Sequence, residues 1–564
     1  MCGMNRFLYA CSVICAMAVP GICCAQSTPS VPQPHHHHDD APAPGEKLGQ
    51  VSFPTSCAGR SQAAMERGVA LLHSFGYTIA QIQFEAIAKD DPACAMAHWG
   101  IAMTQFPELW SHPDEAQTKR GEAEMAKARA LAAPPAKITP REQGYIDALS
   151  AFFDPAKTSF EQRADAYETR MNALHAMFPD DVEGAAFDAL SMLASVPQGD
   201  TSLTHEHQAL AILVPLFASH PGHPGLAHYI IHTCDTPALA SDGLAAAREY
   251  AQIAPSSPHA LHMPGHIFAR LGMWQEDIDS NLASVKASEK AQAAGEPGAA
   301  HQMHADEFLI YAYLQVGEDE KARLLTSKMA AIGQQMSAMP GMDDMKDAGP
   351  FFANELNTVY AVEMNDWKAA AALKPVAGSP PGQSFDTYWG QGIAAGHLHD
   401  AKLAADALAA LNRDGDALKN SPFGAYFANS LGIKRDELAA WEAFAEDHPE
   451  AAVTAMRKAA DQQDKLGQDE VDIPGREMLG DLLLLEHQPA DALAEYRVAL
   501  KLSPNRLNGL LSAGNAAEQA GLPDQARVFY RAAALATNSG ANSTRPELAH
   551  AVQVSGTAVA VKTE

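Results

Sequence analysis

Small and apolar residues recur at spacings of three and four along most of this chain, with charged residues between them, so each segment offers one face for burial and one for water. That spacing predicts helix after helix. Alanine dominates the apolar positions, aromatic residues make up only 7%, and runs of β-branched residues bounded by turns are scarce, so little is left to build a sheet. The pattern lapses in QSTPSVPQPHHHHDDAPAPGEKLGQ at 26–50, in MSAMPGMDDMKDAGP at 336–350, in KPVAGSPPGQ at 374–383 and after residue 541. These lapses divide the chain into a leader at 1–25, a polar linker expected to be disordered at 26–50, a helical array at 51–335, an irregular connector with some helix at 336–383, a second array at 384–540 and a flexible tail at 541–564.

A longer period lies over the helical one. In REMLGDLLLLEHQPADALAEYRVALKLSP, Leu479, Gly480, Leu483, Ala492, Tyr496, Ala499 and Pro504 stand where a tetratricopeptide repeat needs small or apolar residues. Small residues let the two helices of a repeat approach, the aromatic fills the gap between them, and proline begins the turn to the next unit. Thirty-four residues on, Ala513, Gly514, Ala517, Ala526, Tyr530 and Ala533 repeat the offsets, with Leu510 ahead of them. Near the other end, ALLHSFGYTIAQIQFEAIAKDDP offers Ala80, Phe84 and Pro92, with Ile87 where the pattern prefers alanine. Weaker copies fall at Ile278, Leu282 and Val285 and in the run ending at Ala322. The expected fold is all-α, a tetratricopeptide-repeat solenoid in which antiparallel helix pairs wind into a superhelix.

The N-terminus has a different logic. Arg6 precedes an apolar run and small residues near Ala25, the organisation of a secretory signal peptide cleaved after Ala25. The residues before Cys23 and Cys24 fit a lipoprotein box poorly, so a periplasmic or secreted protein is expected. No later segment supplies about 18 uninterrupted apolar residues to span a bilayer. Five of the eight cysteines lie in the leader, leaving Cys57, Cys94 and Cys234. One disulfide, Cys57 to Cys94, and one free thiol is the economical arithmetic; closing that loop contributes roughly 4 kcal/mol in the chain-entropy model. The formal charge is −28, and losing a leader whose only charge is Arg6 makes it more negative. Such a surface repels phosphate backbones, so nucleic acid is not an expected partner.

The densest chemistry lies in HPGHPGLAHYIIHTCD (220–235), HALHMPGHIFARLG (259–272) and HQMHADEF (301–308), which hold nine of the 24 histidines. His228 and His232 are four apart, as are His262 and His266, so each pair shares a helical face and offers two ligands from a rigid support. These four imidazoles and His304 form the candidate metal set, with His259, Asp235 and Glu307 as further ligands or as partners that orient the rings. Imidazole donors suit Zn, Cu or Fe. Pro264 lies between His262 and His266 and frees the carbonyl of Ala260, kinking or restarting the helix. Cys234 reads as a packed thiol before it reads as a metal thiolate. The contrary reading of the whole set is that the histidines only hydrogen-bond within a crowded repeat interface.

The strings SFPTSC, ALLHSFGY, DDPACAMAHWGIAM, HYIIHTCD, APSSPHALHMPGHIFARLGMW, HADEF, YAYLQ and REMLGDLLLL together resemble a group of exported bacterial tetratricopeptide repeat proteins. The resemblance implies an α-solenoid over most of the chain and supplies no reaction. HTCD stands where that group carries an H-x-Y-D type string. Secondary candidates are His35, His36, His37 and His38 with Asp39 and Asp40 as a transient chelator, and Met336, Met339, Met342 and Met345 as thioether donors. GQGIAAG at 390–396 has the wrong spacing for a dinucleotide loop and suits helix packing. No H-E-x-x-H, G-x-S-x-G, Walker A or paired C-x-x-C motif occurs. The sequence therefore supports an exported repeat scaffold that binds protein or peptide segments in its concave groove and carries a histidine-lined metal or ligand site. The alternative is a histidine-ligated metalloenzyme, oxidative or hydrolytic, on the same solenoid.

Overall fold

The computed structural model describes residues 45–556, apart from 107–108, 110–111, 295–300, 339–344, 420–423, 425–426 and 470, and nothing is said of the side chains at 345 and 346. The leader, the His35–Asp40 tract, Met339, Met342 and the thioether of Met345 lie outside the described residues. Every regular element among those residues is a helix, and most helices pack against their predecessor. The chain is an α-solenoid of tetratricopeptide-type helix pairs. Ten helices matter most for the site and the repeats: α1 (Gln62–His73), α2 (Pro224–Thr233), α3 (Pro258–His262), α4 (Pro264–Arg270), α5 (Trp274–Ala294), α6 (His301–Gln315), α7 (Gly475–Leu485), α8 (Pro489–Leu502), α9 (Leu507–Gln519) and α10 (Pro523–Ala536).

The repeat signature explains the pairing of α7 with α8 and of α9 with α10. A Cβ on Gly480 would fall 2.6 Å from the Tyr496 ring, and one on Gly514 would fall 2.3 Å from the Tyr530 ring. The glycine makes room for the tyrosine one helix later. Leu479, Ala492, Ala513, Ala526 and Ala533 are fully buried beside them. Near the other end Phe84 fills the same role against Gly68 and Gly100. The weak copy at Ile278 is not completed, because Leu282 points to solvent and is 44% exposed.

Two expected flexible stretches are partly ordered. Leu48 is buried, and the Gln50 amide donates to the Gly222 carbonyl, so the end of the 26–50 linker is pinned to the array. Pro546–Ser555 is helical and buries Leu548 and Ala551, which covers the last repeat. Apolar residues at helical spacing within a polar tail account for that correction.

The core runs in sequence order, from a cluster at Leu48–Phe268 to one centred on α6 and one that includes α7–α10. Val471 breaks the order by packing into the α6 cluster. The C-terminal repeats thus close onto α6. Arg506, fully buried, donates to Glu363 Oε1 at 2.7 Å, to Glu477 at 2.8 and 2.9 Å, and to the Tyr311 hydroxyl on α6. Around it the Leu507 amide donates to Gln315 Oε1 at 2.9 Å, Tyr311 donates to the Asp472 carbonyl at 2.7 Å, and Trp274 donates to the Asn505 carbonyl at 2.9 Å. Replacing Arg506→Met leaves two buried carboxylates without their cation and is expected to cost about 3 to 5 kcal/mol in denaturant unfolding, whereas a loss below about 1 kcal/mol contradicts this account.

Candidate metal centre

Local sequence places each imidazole. His223 caps α2, its Nδ1 accepting from the Leu226 amide at 3.2 Å, and Pro224 occupies the first turn, where its missing N–H costs nothing. α2 then presents His228 and His232 one turn apart. Ser257 caps α3 in the same way, and Pro264 ends it, because the chain there has no N–H to donate. Met263 keeps right-handed helical angles (φ −51°, ψ −35°), so the chain restarts at once as α4. Gly265 lets α5 lie close: a Cβ there would fall 2.7 Å from Asp277 and 2.8 Å from Asn281.

The histidines converge in two groups of three. His228, His232 and His259 bring one ring nitrogen each within 4.8 Å of one another, and so do His262, His266 and His304. The His228 and His259 Nε2 atoms are 3.0 Å apart, and those of His262 and His266 are 2.9 Å apart. The four imidazoles expected to form one set are therefore divided. Each i, i+4 pair takes its third member from a different helix, His259 from α3 and His304 from α6, because α3 carries His259 and His262 to two separate neighbours. His259 belongs to a group in its own right. Asp235 and Glu307 stand behind rings instead of among the converging nitrogens.

Those partners fix the tautomers. His266 Nδ1 lies 2.9 Å from Asp235, His304 Nδ1 lies 2.8 Å from Glu307, and His262 Nδ1 lies 2.7 Å from Asn281 Oδ1, whose own amide is committed to Asp277. Each partner oxygen only accepts, so each Nδ1 carries the proton and each Nε2 is left as a lone pair. His262 and His266 thus bring their Nε2 atoms face to face. His228 follows the same rule, its Nδ1 donating to the His73 carbonyl at 2.6 Å.

Burial and mutual repulsion oppose protonation. They hold His228, His259 and His262 well below the ordinary histidine range, His232 near about 3 and His301 near about 4. One phenyl ring walls each group: Phe75 lies 4.5, 5.4 and 5.8 Å from His228, His232 and His259, and Phe308 lies 4.6 to 5.2 Å from His262, His266 and His304. Asp235 also accepts from Arg270 at 3.0 Å, and Arg270 donates on to the Gln468 carbonyl from the C-terminal half.

Sequence reasoning missed a third cluster. Behind α2, the buried Glu183 lies 2.6 Å from His73 Nε2 and 3.2 Å from His223 Nε2 and accepts from the Ser52 amide, while His73 Nδ1 meets the Tyr229 hydroxyl at 3.0 Å. Burial pushes Glu183 up, but its bonds to His223 and His73 outweigh that and hold it well below the usual carboxylate range. The carboxylate bonds His73 and lies against His223, so this group anchors α1 to α2. Residues 110 apart gave no signal in the sequence beyond the histidines themselves. His301, with its ring 4.8 Å from His259, was also passed over. Cys57 and Cys94 are bonded to each other. Cys234 is buried, burial pushes its thiol up to about 12, and it joins neither histidine group, so the thiolate reading has no support. Gly390, Gly392 and Gly396 sit inside the helix Phe385–His397 and admit Thr358, Leu438 and Trp441.

No family model matches this chain, and no curated protein does. Solved structures with a similar course are repeat proteins. The tetratricopeptide domain of P58(IPK) has 15% identity, covers 67% of this chain and 97% of that one, and gives a TM-score of 0.20. Human IFIT1, solved as a dimer with m7Gppp-AAAA, has 12% identity, covers 78% and 90%, and gives 0.34. Cut9 in the Cut9–Hcn1 hetero-tetramer of the APC/C has 12% identity, covers 88% and 96%, and gives 0.30. At such scores these likenesses carry nothing about the site, and the expectation against nucleic acid rests on charge alone.

His301 gives the site a pH signature. Its folded value, about 4, lies below the roughly 6.5 of an unfolded histidine, so between those values the unfolded chain binds the extra proton and stability falls as pH falls. In chelator-treated protein, the stability of the wild type relative to His301→Gln should drop by up to about 1.4 kcal/mol per unit from pH 6.5 towards 4 and level off below; a constant difference contradicts a buried neutral ring.

Proposed function

We propose that this chain is an exported solenoid that binds transition-metal ions through its two histidine groups. The observation that carries the reading is the second group. His262, His266 and His304 each have Nδ1 tied to an acceptor, so three lone pairs converge within 4.8 Å. A cation between the nitrogens would meet all three at once, and burial with the neighbouring rings holds the His262 imidazole well below the ordinary histidine range. An all-imidazole set with carboxylates only behind the rings suits Zn, Cu or Fe and not Mg or Ca. The leader at 1–25, in which Arg6 precedes an apolar run, and the Cys57–Cys94 bond support export to an oxidising compartment. The repeat array supports a further role in holding protein or peptide segments on its concave surface.

A metalloenzyme is the second reading. It is favoured by the exposure of His304, whose side chain is 42% accessible, and by a donor count of three, which leaves a tetrahedral ion one position for water or substrate. Untagged protein lacking residues 35–38 should retain metal close to stoichiometry by mass spectrometry, and His262→Ala with His304→Ala should lose at least one equivalent. Metal at background levels after incubation with Zn, Cu or Fe rules the reading out.

A further inference from the structure

One acidic residue of α6 takes no part in the histidine groups. Asp306 follows His304 by two residues, which turns it about 200° round the helix, and Gln302 stands four residues before it on the same face. That face forms the floor of a cavity of about 490 Å³ between α5 and the helices Asp319–Thr326 and Met329–Ser337. Val285 and Ala293 line one wall, and Leu325 and Ile332 line the other. Glu289, Lys328 and Gln335 are exposed and belong to its open side. Asp306 is only 1% exposed, and among the described residues a single hydrogen bond reaches its carboxyl, from Gln302 Nε2 at 3.4 Å.

We propose that this cavity binds a small organic cation, an ammonium or guanidinium on an apolar stem, with its charged head on Asp306 and its stem between Val285, Leu325 and Ile332. The volume falls within the roughly 300–1,000 Å³ of small-molecule pockets, in which apolar walls supply contact and a few polar groups fix orientation. An ionised carboxyl at that depth is costly without a counter-charge, and one long bond from a neutral amide offsets little of the cost. A cationic head supplies the missing charge through shorter, charge-assisted bonds of about 2.7–2.9 Å. Two carboxyls, Asp306 and Glu289, stand against the single cation Lys328, so the lining attracts a cation and repels an anion. The inference is independent of the reading of the histidines as metal ligands, because Asp306 and His304 leave α6 on opposite sides.

The test is titration calorimetry of the full chain with 2-phenylethylamine, and with 2-phenylethanol and 3-phenylpropionate as its neutral and anionic counterparts. The amine is expected to bind at least about 10-fold more tightly than either. Asp306→Asn, nearly isosteric, should weaken the amine by about 10-fold or more and leave the alcohol unchanged. Ile332→Trp, which fills the space between the walls, should weaken amine and alcohol alike. Zinc-loaded and chelator-treated protein should bind the amine equally; an amine that binds only the loaded protein is a ligand of the metal, which overturns the assignment to the cavity. Circular dichroism checks the folding of each variant, and if Asp306→Asn fails to fold, the ratio of amine to alcohol in the wild type and the Ile332→Trp titration still decide. Equal affinities for amine and alcohol, an amine affinity untouched by Asp306→Asn, or no binding of the amine up to about 10 mM overturns the proposal.

Discussion

The buried guanidinium of Arg506 holds this solenoid closed. Its donors meet Glu363, Glu477 and Tyr311, which arrive from three separate helices, so a single side chain fixes where the C-terminal repeats lie on α6. Desolvating three charges is expensive, and well-packed apolar residues would often do as well for stability alone. What the ion cluster adds is registry: only one rotation of the C-terminal array brings both carboxylates to one fork of donors. α6 is buried from Ala305 to Gln315, and its two roles follow from its faces, since Tyr311 and Gln315 receive the closing repeats while His304 and Phe308 face the histidines. The position of His304 is therefore set by contacts made some two hundred residues further along the chain.

Arg270 makes the same link by a second route. It joins Asp235, which orients His266, to the backbone of Gln468. The two routes, through α6 and through Arg270, tie the second group to the C-terminal half.

What the sequence revealed and what it hid divide along the same line. Spacing within one helix is legible: the glycine and tyrosine of each clear repeat, 16 residues apart at Gly480 and Tyr496 and again at Gly514 and Tyr530, meet because a helix and a short turn leave them nowhere else to go. The pairs His228–His232 and His262–His266 share faces for the same reason. Spacing does not say which neighbouring helix a face meets. His259 and His262, three apart, belong to different groups, and at Pro264 the sequence left a kink and a restart of the helix both open, of which the structure shows the restart. The His73–Glu183–His223 anchor was invisible because its members come from three helices with no shared periodicity. Leu282 shows the reverse error, a residue at repeat spacing on a face that nothing covers.

The converging lone pairs set the terms of any account of the site. A carboxylate alone can satisfy a buried imidazole, as Glu183 does for His73 Nε2. The second group has used its protons outward, on Asn281, Asp235 and Glu307, and the outward partners are all acceptors. Reversing the tautomer of His266 or His304 would turn an Nδ1 lone pair against a carboxylate, and protonating His262 is opposed by burial and by the His304 ring. A metal ion meets all three lone pairs at once without disturbing the outer bonds, and its binding would add to the stability of the closed form by mass action. The same outer bonds that turn the Nε2 atoms inward would hold them in place once an ion is bound.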